Sequence, residues 1–517
     1  MKVHMDPAYI ILLVLVAIYV PLYFYVRKSD RMHARGIVPY GPTIMIKTKF
    51  GLGLMDRLSK HRRFWSVFGL VSRIIALFLM AVIIFVMALN MLLIPSAIGR
   101  SGIGIEYALA IPGLNPMLPL VYGVIGLVVA RAVHELAHGI QTRANGMKVK
   151  SSGLLYAVVP VGAFVEPDEE DVSKGNRRAR MDLYAAGIAT NFVVAALCFL
   201  LMAGAMSGGL SSEYGDNPAI SSIEGGTFAY ESGVPAGALI THIDGAQIAT
   251  IEEFRDAVSA YGAYDVTYIY KNEGGTADVT MGVRIAHVSS GTPASDARVT
   301  DGMYLMAMQA EGGAWVEFGN IYDFMDFMGT TRPGDVCLLR VTKTADDSIP
   351  IDNKQVTLGN NDGIGFLGVS VNTSGFMFTT PNENLARGMN PFHGTTDISE
   401  GAMSALSFIG APLSGYAPIP ASTQWWYDSD VLPAEVFWIL ISVLFWIFWL
   451  NLVLGLSNAL PAIPFDGGFL FMGGMDYILE KTGMSSERRE KYARAVTGVT
   501  TWIVFLGLML VMMVIII

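Results

Sequence analysis

Charged residues are scarce in this sequence. Asp, Glu, Lys and Arg make up 15% of its 517 residues, against about 25% in soluble domains. Hydrophobic residues make up 52%. This balance argues against an ordinary soluble enzyme and predicts several segments buried in lipid. Basic residues are also outnumbered by acidic ones, 35 to 44, which argues against a nucleic-acid partner.

Cysteine is nearly absent. The two cysteines are Cys198 and Cys337, so a disulfide scaffold is ruled out. Two cysteines are too few to indicate a redox compartment.

Long apolar runs are the main feature that is present. About 20 helical residues cross the ~30 Å of membrane hydrocarbon, and six runs meet this length approximately. They are Tyr9–Val26, Ile74–Ile94, Met117–Ala132, Leu183–Met206, Val436–Leu456 and Val496–Ile517. A seventh run, Phe469–Leu479, is too short to span and is interpreted as a re-entrant or interfacial segment.

Lys and Arg are unevenly distributed among the loops. Residues 27–63 hold ten, residues 143–180 hold seven, the loop between the last two spans holds five, and the loop between spans two and three holds one. The positive-inside rule places the basic loops in the cytoplasm. Both termini and the long segment after span four are then predicted to lie outside. That segment is acidic, since residues 206–433 hold 27 acidic and 9 basic residues.

The segment between spans four and five has the turn residues and alternating runs of a β-rich region. It repeats itself, because Asp265-Val266 and Asp335-Val336 each open an alternating run after a helical piece. Two modules are therefore predicted, and a single module with an insertion is the alternative. The predicted domains are a membrane region at 1–206, modules at 207–299 and 300–372, a connector at 373–435 and a second membrane region at 436–517.

A His-Glu-x-x-His motif lies at the end of span three, as His134, Glu135 and His138. On a helix this spacing puts the two histidines on one face, where they can bind one Zn²⁺ per chain. Glu135 then stands beside a ligand and can act as a general base toward water. Ionisable residues in a membrane span are costly and therefore suggest function. The alternative is a solvated polar helix end at the interface.

A catalytic zinc site needs a third protein ligand and one open position. Asp466 is the only carboxylate between Glu435 and Asp476, and the loop charges place it on the same side of the membrane as the histidines. Metal coordination would explain a carboxylate beside an apolar stretch. The alternative is a turn residue, because Asp-Gly is a common turn dipeptide.

These motifs together resemble the site-2 protease family of intramembrane zinc metalloproteases. The resemblance rests on the helical His-Glu-x-x-His and on the distant Asn458-x-x-Pro-x-x-x-Phe-Asp466-Gly. It implies that His134, His138 and Asp466 bind zinc and that Glu135 is catalytic. The layout of six spans looks like the archaeal branch of this family.

Two further segments are similar to family elements. The segment around Phe164 looks like the β-hairpin that follows the zinc helix, a plausible edge strand for an extended substrate. Ala186-Gly187-Ile188-x-x-Asn191 resembles a family motif in which Ile188 replaces the usual proline. Asn191 and Asn458 are predicted to hydrogen-bond the substrate backbone or the developing oxyanion. Hydrogen bonding between helices is the alternative.

The outer modules are similar to PDZ domains. The similarity rests on the run from Val234 to Gly245 and on Arg332-Pro-Gly-Asp-Val. Such modules bind an extended peptide or a C-terminus by adding a strand. A folded spacer that filters out large substrates is an equal alternative.

The expected fold is a polytopic α-helical membrane protein of about six transmembrane helices, with an inserted extracytoplasmic β-rich tandem PDZ-like region. The expected protein is a multi-pass cell-membrane zinc metalloendopeptidase whose active site lies nearer the cytoplasmic side. Its partners are the lipid bilayer and membrane-protein substrates, cleaved in or near a transmembrane helix in regulated intramembrane proteolysis.

Two other classes of protein are alternatives to this one. A non-hydrolytic receptor or scaffold would bind peptides through the PDZ-like modules, and Glu135 argues against it. A metal transporter would need several polar residues along a path, and only one cluster is evident.

Overall fold

The computed structural model describes residues 7–97, 118–158, 160–343, 352–414 and 419–516. The chain divides into two compact units. The first takes its residues from Met1–Ala205, Ala402–Ala417 and Glu435–Ile517, and the second from Met206–Gly401 and Pro418–Ala434. The long apolar helices belong to the first unit, and most of the strands belong to the second.

The described residues form α-helices in both units. In chain order they are α1 (Pro7–Lys28), α2 (Asp30–Ala34), α3 (Leu52–Ser59), α4 (Arg62–Ala97), α5 (Leu120–Ala144), α6 (Glu169–Lys174), α7 (Arg177–Gly209), α8 (Phe228–Glu231), α9 (Ile251–Ala257), α10 (Pro293–Asp296), α11 (Ile321–Thr330), α12 (Pro381–Met389), α13 (Ile398–Gly410), α14 (Ala434–Asn458), α15 (Asp466–Lys481) and α16 (Ser486–Ile516).

The strands of the first unit are β1 (Ile37–Tyr40), β2 (Thr43–Thr48), β3 (Val149–Tyr156) and β4 (Pro160–Pro167). Those of the second unit are β5 (Leu210–Ser211), β6 (Ala219–Ile223), β7 (Leu239–Ile243), β8 (Ala246–Gln247), β9 (Gly262–Tyr270), β10 (Glu273–Met281), β11 (Val283–Val288), β12 (Tyr304–Ala310), β13 (Val316–Glu317), β14 (Val336–Thr342), β15 (Asp352–Thr357), β16 (Gly359–Asn361), β17 (Ile364–Phe366), β18 (Val369–Thr373), β19 (Phe376–Thr379) and β20 (Asp428–Ser429).

Among the described residues, five helical segments are long and apolar enough to cross a membrane. They are Arg62–Leu92, Leu120–Ala144, Arg177–Gly209, Ala434–Asn458 and Ser486–Met513, and they coincide with predicted spans two to six. The first predicted span, Tyr9–Val26, falls on α1. The structure does not describe the side chains of residues 7–12. That span stays a prediction. The short run Phe469–Leu479 lies within α15, a helix of 16 residues.

Glycines allow the long helices to approach closely. A Cβ added at Gly126 of α5 would lie 2.8 Å from the carbonyl oxygen of Trp446 in α14, and one added at Gly187 of α7 would collide with α5 side chains. Small residues at such contacts are typical of helix packing in membranes. They place α5 in direct contact with both α7 and α14.

An antiparallel four-stranded sheet lies against α5 with the order β1-β2-β3-β4. The predicted hairpin near Phe164 is confirmed, since β3 and β4 pair with Gly153 opposite Phe164. A Cβ on Gly153 would lie 2.7 Å from the Phe164 ring, so this glycine makes room for the aromatic side chain. β4 is an edge strand of this sheet, and it packs along α5.

The second unit contains two similar repeats. The first runs β6, α8, β7, β8, α9, β9, β10, and the second runs β11, α10, β12, β13, α11, β14, β15. Equivalent contacts recur: the amide of Ala229 donates to the Ser374 carbonyl at 3.1 Å, and the amide of Ala294 donates to the Leu367 carbonyl at 3.0 Å. The two repeats share one sheet, joined through the adjacent strands β18 and β19.

Each repeat has its own hydrophobic core, and the two cores show which strands pack in which repeat. Val283 and Ile285 of β11 pack in the second core, with Leu367. Phe376 of β19 packs in the first core, because β19 pairs with β6. The second repeat is therefore inserted into the first, and it begins near Val283. Strand β11 precedes the module boundary predicted at residue 299, and it packs in the core of the second repeat.

Candidate metal and catalytic site

Two imidazoles of α5 point the same way. His134 and His138 are four residues apart, so they lie one helical turn apart on one face. Both residues are buried, with exposed fractions of 2% and 8%, and their Nε2 atoms are 3.0 Å apart. A neutral imidazole offers a nitrogen lone pair to a cation. The pair therefore presents two ligand atoms to one point.

Asp466 completes the group. It is the first residue of α15, and its Oδ2 lies 3.0 Å from Nε2 of His134 and 3.1 Å from Nε2 of His138. The ligand atoms of the three residues all lie within 4.8 Å of one another. The structure thus brings together the three residues predicted to bind zinc, although Asp466 is 328 residues from His138.

Two glycines allow Asp466 to reach this position. A Cβ on Gly467 would lie 2.4 Å from the Ala459 carbonyl oxygen, and one on Gly468 would lie 2.5 Å from the Ala462 carbonyl carbon. Any larger residue would push α15 away from the segment that follows α14. The Asp-Gly-Gly sequence is therefore required by close packing as well as by chemistry.

The three ligand atoms fit a tetrahedral metal. Ligands about 2.0–2.1 Å from a tetrahedral zinc lie about 3.3 Å from one another, and the three separations here are 3.0, 3.0 and 3.1 Å. Two imidazole nitrogens and one carboxylate oxygen leave a fourth position open, which is the arrangement of a catalytic zinc site. The residues present therefore fit zinc.

The α7 helix orients His138. Nδ1 of His138 lies 2.7 Å from the Leu183 carbonyl oxygen, so a proton on Nδ1 is donated there and Nε2 keeps its lone pair. One turn further along α7, a Cβ on Gly187 would lie 2.5 Å from Nε2 of His138 and 2.7 Å from Cε1 of His134. Gly187 thus leaves the space that the two imidazoles occupy.

Glu135 is held by two donors from different elements. Its Oε1 lies 3.0 Å from an Arg131 guanidinium nitrogen one turn earlier on α5. Its Oε2 accepts a hydrogen bond of 3.1 Å from the backbone amide of Val165 in β4. The catalytic residue predicted from the motif is thus a fixed carboxylate beside the histidines.

A cavity of about 1160 Å³ contains these groups. The cavity is lined by His134, His138, Asp466, Glu135 and Arg131. Its other walls include residues of β1, β2, β4, α6, α7, α15 and α16. A space of this size is ample for a segment of extended peptide. The candidate metal ligands and the candidate base therefore share one accessible chamber.

The predicted substrate-binding residues differ in their placement. Phe164 and Asn458 line the cavity, although the Asn458 amide also donates to the Leu454 carbonyl at 3.0 Å. Asn191 is fully buried and is not among the cavity-lining residues. It packs beside Gly455 of α14, and neither atom of its amide has a hydrogen-bond partner among the described residues. The role of all three in substrate binding stays a prediction.

Ion pairs link α7, α15 and α16 beside the cavity. Arg177 contacts Asp476 at 3.0 Å and Glu480 at 2.7 Å, and Arg489 contacts Glu480 at 2.8 Å. Hydrogen bonds from Arg177 and Arg489 lower the pKa of the Glu480 carboxyl. The network joins the end of α15 to its neighbours, and Asp466 is the first residue of that helix.

Sequence reasoning missed the residues that hold the site in place. Arg131 lies outside the His-Glu-x-x-His motif, and no sequence pattern predicts the contacts of Leu183, Gly187 and Val165. A usable signal existed only for Arg131, because an arginine inside a predicted span and one turn before Glu135 demands a partner. The other contacts involve backbone atoms or missing side chains, whose partners the sequence does not reveal.

Comparison with known proteins agrees with this geometry. A family model described as peptidase family M50 matches residues 122–505, which is more than half of the chain. The matched range includes both histidines, Glu135 and Asp466.

The chain is also similar to an uncharacterized protein of the archaeon Methanocaldococcus jannaschii. The two are 32% identical over 193 residues, which is 37% of this chain and 50% of the relative. The chain thus spans about half the length of the curated relative that it matches.

Proposed function

The chain belongs to peptidase family M50, and from this premise we propose that it is a membrane-embedded zinc metalloprotease. The proposed reaction is hydrolysis of peptide bonds within or near the transmembrane helices of membrane-protein substrates. The observation that carries the proposal is the convergence of His134, His138 and Asp466 in one cavity with Glu135.

The proposed chemistry assigns a role to each residue. His134, His138 and Asp466 hold the zinc. A zinc ion at this position supplies Lewis-acid polarisation of the scissile carbonyl and a lowered pKa for the attacking water. Glu135 accepts the proton of that water as its oxygen bonds to the carbonyl carbon. Glu135 then delivers the proton to the amine nitrogen as the carbon–nitrogen bond breaks.

The substrate must present an extended backbone. A helix keeps its carbonyl groups in internal hydrogen bonds, so a transmembrane substrate has to unwind before its scissile bond is exposed. The outer edge of β4, beside Phe164, can pair with such an extended segment by strand addition. β4 supports this proposal because it is an edge strand of its sheet and lines the cavity.

The orientation in the membrane is also a proposal. Alternate loops are rich in Lys and Arg, and residues 206–433 are strongly acidic. By the positive-inside rule this places the metal site toward the cytoplasm and the β-rich repeats outside. Cleavage would then release a cytoplasmic fragment, as in regulated intramembrane proteolysis. The repeats would act as PDZ-like modules that bind an extended peptide or filter substrates by size.

The test uses the full chain purified in detergent, with zinc per chain and cleavage of a model transmembrane substrate as readouts. We expect about one zinc per chain and cleavage that Glu135→Gln abolishes without loss of zinc. Glu170→Gln is the matched control, since Glu170 is an exposed carboxylate on α6 that pairs with Lys174. If Glu135→Gln retains full cleavage, the mechanism is wrong. If the zinc-loaded wild type cleaves nothing, the receptor or scaffold function is favoured instead.

A further inference from the structure

Arg131 is a cation inside a candidate membrane span. It lies in α5, within Leu120–Ala144, and its side chain is 26% exposed. A charged side chain in this setting is costly and must be offset by a specific partner. The partner in the structure is Glu135, one helical turn later, at 3.0 Å. The Arg131 cation is therefore stabilised by the one carboxylate of α5, which is also the candidate general base.

The stem of Arg131 is fixed from the opposite side. A Cβ added to Gly162 of β4 would lie 3.0 Å from both Cβ and Cγ of Arg131, and 3.3 Å from its Nε. The backbone of β4 therefore packs directly on the arginine stem, and a glycine is the residue that leaves this room. The guanidinium is held against Glu135 by packing as well as by charge.

The second oxygen of Glu135 is fixed by the same strand. The Val165 amide donates to Oε2 at 3.1 Å, while the Arg131 guanidinium contacts Oε1. A free glutamate side chain samples several rotamers, and ordering it costs entropy. Here the two donors, one from α5 and one from β4, select a single carboxylate orientation.

We propose that Arg131 is a positioning residue for Glu135. It holds the carboxylate in the orientation from which the proton of the attacking water is taken. This inference rests on the proposed function, because only the peptidase reaction needs Glu135 as a base. A displacement of a catalytic group by about 1 Å can cost roughly 10²-fold in rate.

A second arginine of α5 provides the matched control. Arg143 pairs with Asp56 of α3, so it is also an arginine of α5 held by a carboxylate. Arg143 is not among the residues that line the cavity. Its replacement removes a comparable ion pair without touching Glu135.

The kinetic test compares Arg131→Met, Arg131→Lys and Arg143→Met in the zinc-loaded full chain. We expect Arg131→Met to lower kcat by about 10- to 100-fold, with KM and zinc per chain unchanged. Arg131→Lys keeps the charge and should recover most of kcat, while Arg143→Met should have wild-type kcat. An unchanged kcat in Arg131→Met, or an effect confined to KM, overturns the proposal.

A second readout needs neither zinc nor substrate. In the zinc-free protein, Glu135→Gln leaves Arg131 without its carboxylate partner and should lower the Tm. Adding Arg131→Met to that variant removes the unpaired cation and should raise the Tm again. If the Tm decrease of the double variant instead equals the sum of the decreases in the two single variants, the residues are not coupled and the proposal fails. A wild type that binds zinc without cleaving refutes the proposed function, and this melting series still decides whether the pair is coupled.

Discussion

Gly187→Ala tests how the metal site is packed. The added Cβ would lie 2.5 Å from Nε2 of His138 and 2.7 Å from Cε1 of His134. Unstrained contacts are about 3.5 Å, so at least one imidazole must move by about 1 Å. Metal–ligand distances vary by only about 0.2 Å. The displaced imidazole can therefore no longer bind the same metal ion as Asp466.

The magnitude follows from the cost of overpacking. Forcing one extra methyl into a packed site costs about 1–3 kcal/mol, which corresponds to roughly 5- to 150-fold weaker binding. We therefore expect the zinc Kd of Gly187→Ala to rise by about one to two orders of magnitude, with cleavage lost in parallel at limiting zinc. Competition with a chromogenic chelator measures the Kd directly.

The metal-free protein should respond in the opposite direction. Without zinc the imidazoles can rotate away from the new methyl, and alanine favours a helix over glycine by about 1 kcal/mol. The Tm of the zinc-free variant should therefore be equal to or above that of the wild type. Gly204→Ala in the same helix is the control, because a Cβ at Gly204 has no atom within 4 Å. A Gly187→Ala protein with wild-type zinc affinity and wild-type cleavage would refute the packing argument.

Three further predictions address the metal, a charged pair and a turn. Dialysis against a strong chelator should abolish cleavage and added Zn²⁺ should restore it, which an assay before and after readdition checks. Hydrogen bonds from Ser151 and Lys47 lower the pKa of Glu166 below its ordinary 4.5. The ionised Glu166 therefore stabilises the folded protein above pH 4.5, and this stabilisation is lost as the pH falls through the lowered pKa. Lys47→Met should thus lower the Tm at pH 7, and the difference should shrink on acidification; a constant difference contradicts this. Gly375→Ala should destabilise the second unit by about 2 kcal/mol or more, because Gly375 has a φ of +102° and its added Cβ would lie 2.2 Å from Thr227 Oγ1. Gly291→Ala is the control, since Gly291 has a φ of +72° but open space around its Cβ. Unfolding measurements that find Gly375→Ala as stable as Gly291→Ala would count against this prediction.

The sequence predicted the parts of the site that depend on local spacing or on a rare residue type. The histidine pair follows from a four-residue interval on a helix, and Asp466 stood out as a lone carboxylate in an apolar region. The apolar runs predicted six spans, because the hydrocarbon thickness sets their length, and five of them coincide with described helices that are long enough to cross a membrane.

The features that escaped prediction depend on contacts between distant segments. The pairing of β19 with β6 joins Phe376 to Ile223, and no local pattern connects these positions. Gly187 and Gly162 act through the absence of a side chain, which gives no signal until their neighbours are known. Asn191 has the residue type expected at a substrate site, yet its burial between helices could not be read from its sequence position.

The insertion of one repeat into the other has a consequence for synthesis of the chain. The second repeat, from Val283 to Thr373, is continuous and its whole core is available once it has been translated. The first repeat lacks Phe376 and the whole of strand β19 until about 90 further residues have been made. Long-range strand pairing of this kind is slow to form. The earlier-made repeat must therefore finish folding last, and a chain interrupted before Phe376 would expose its incomplete core to aggregation or proteolysis.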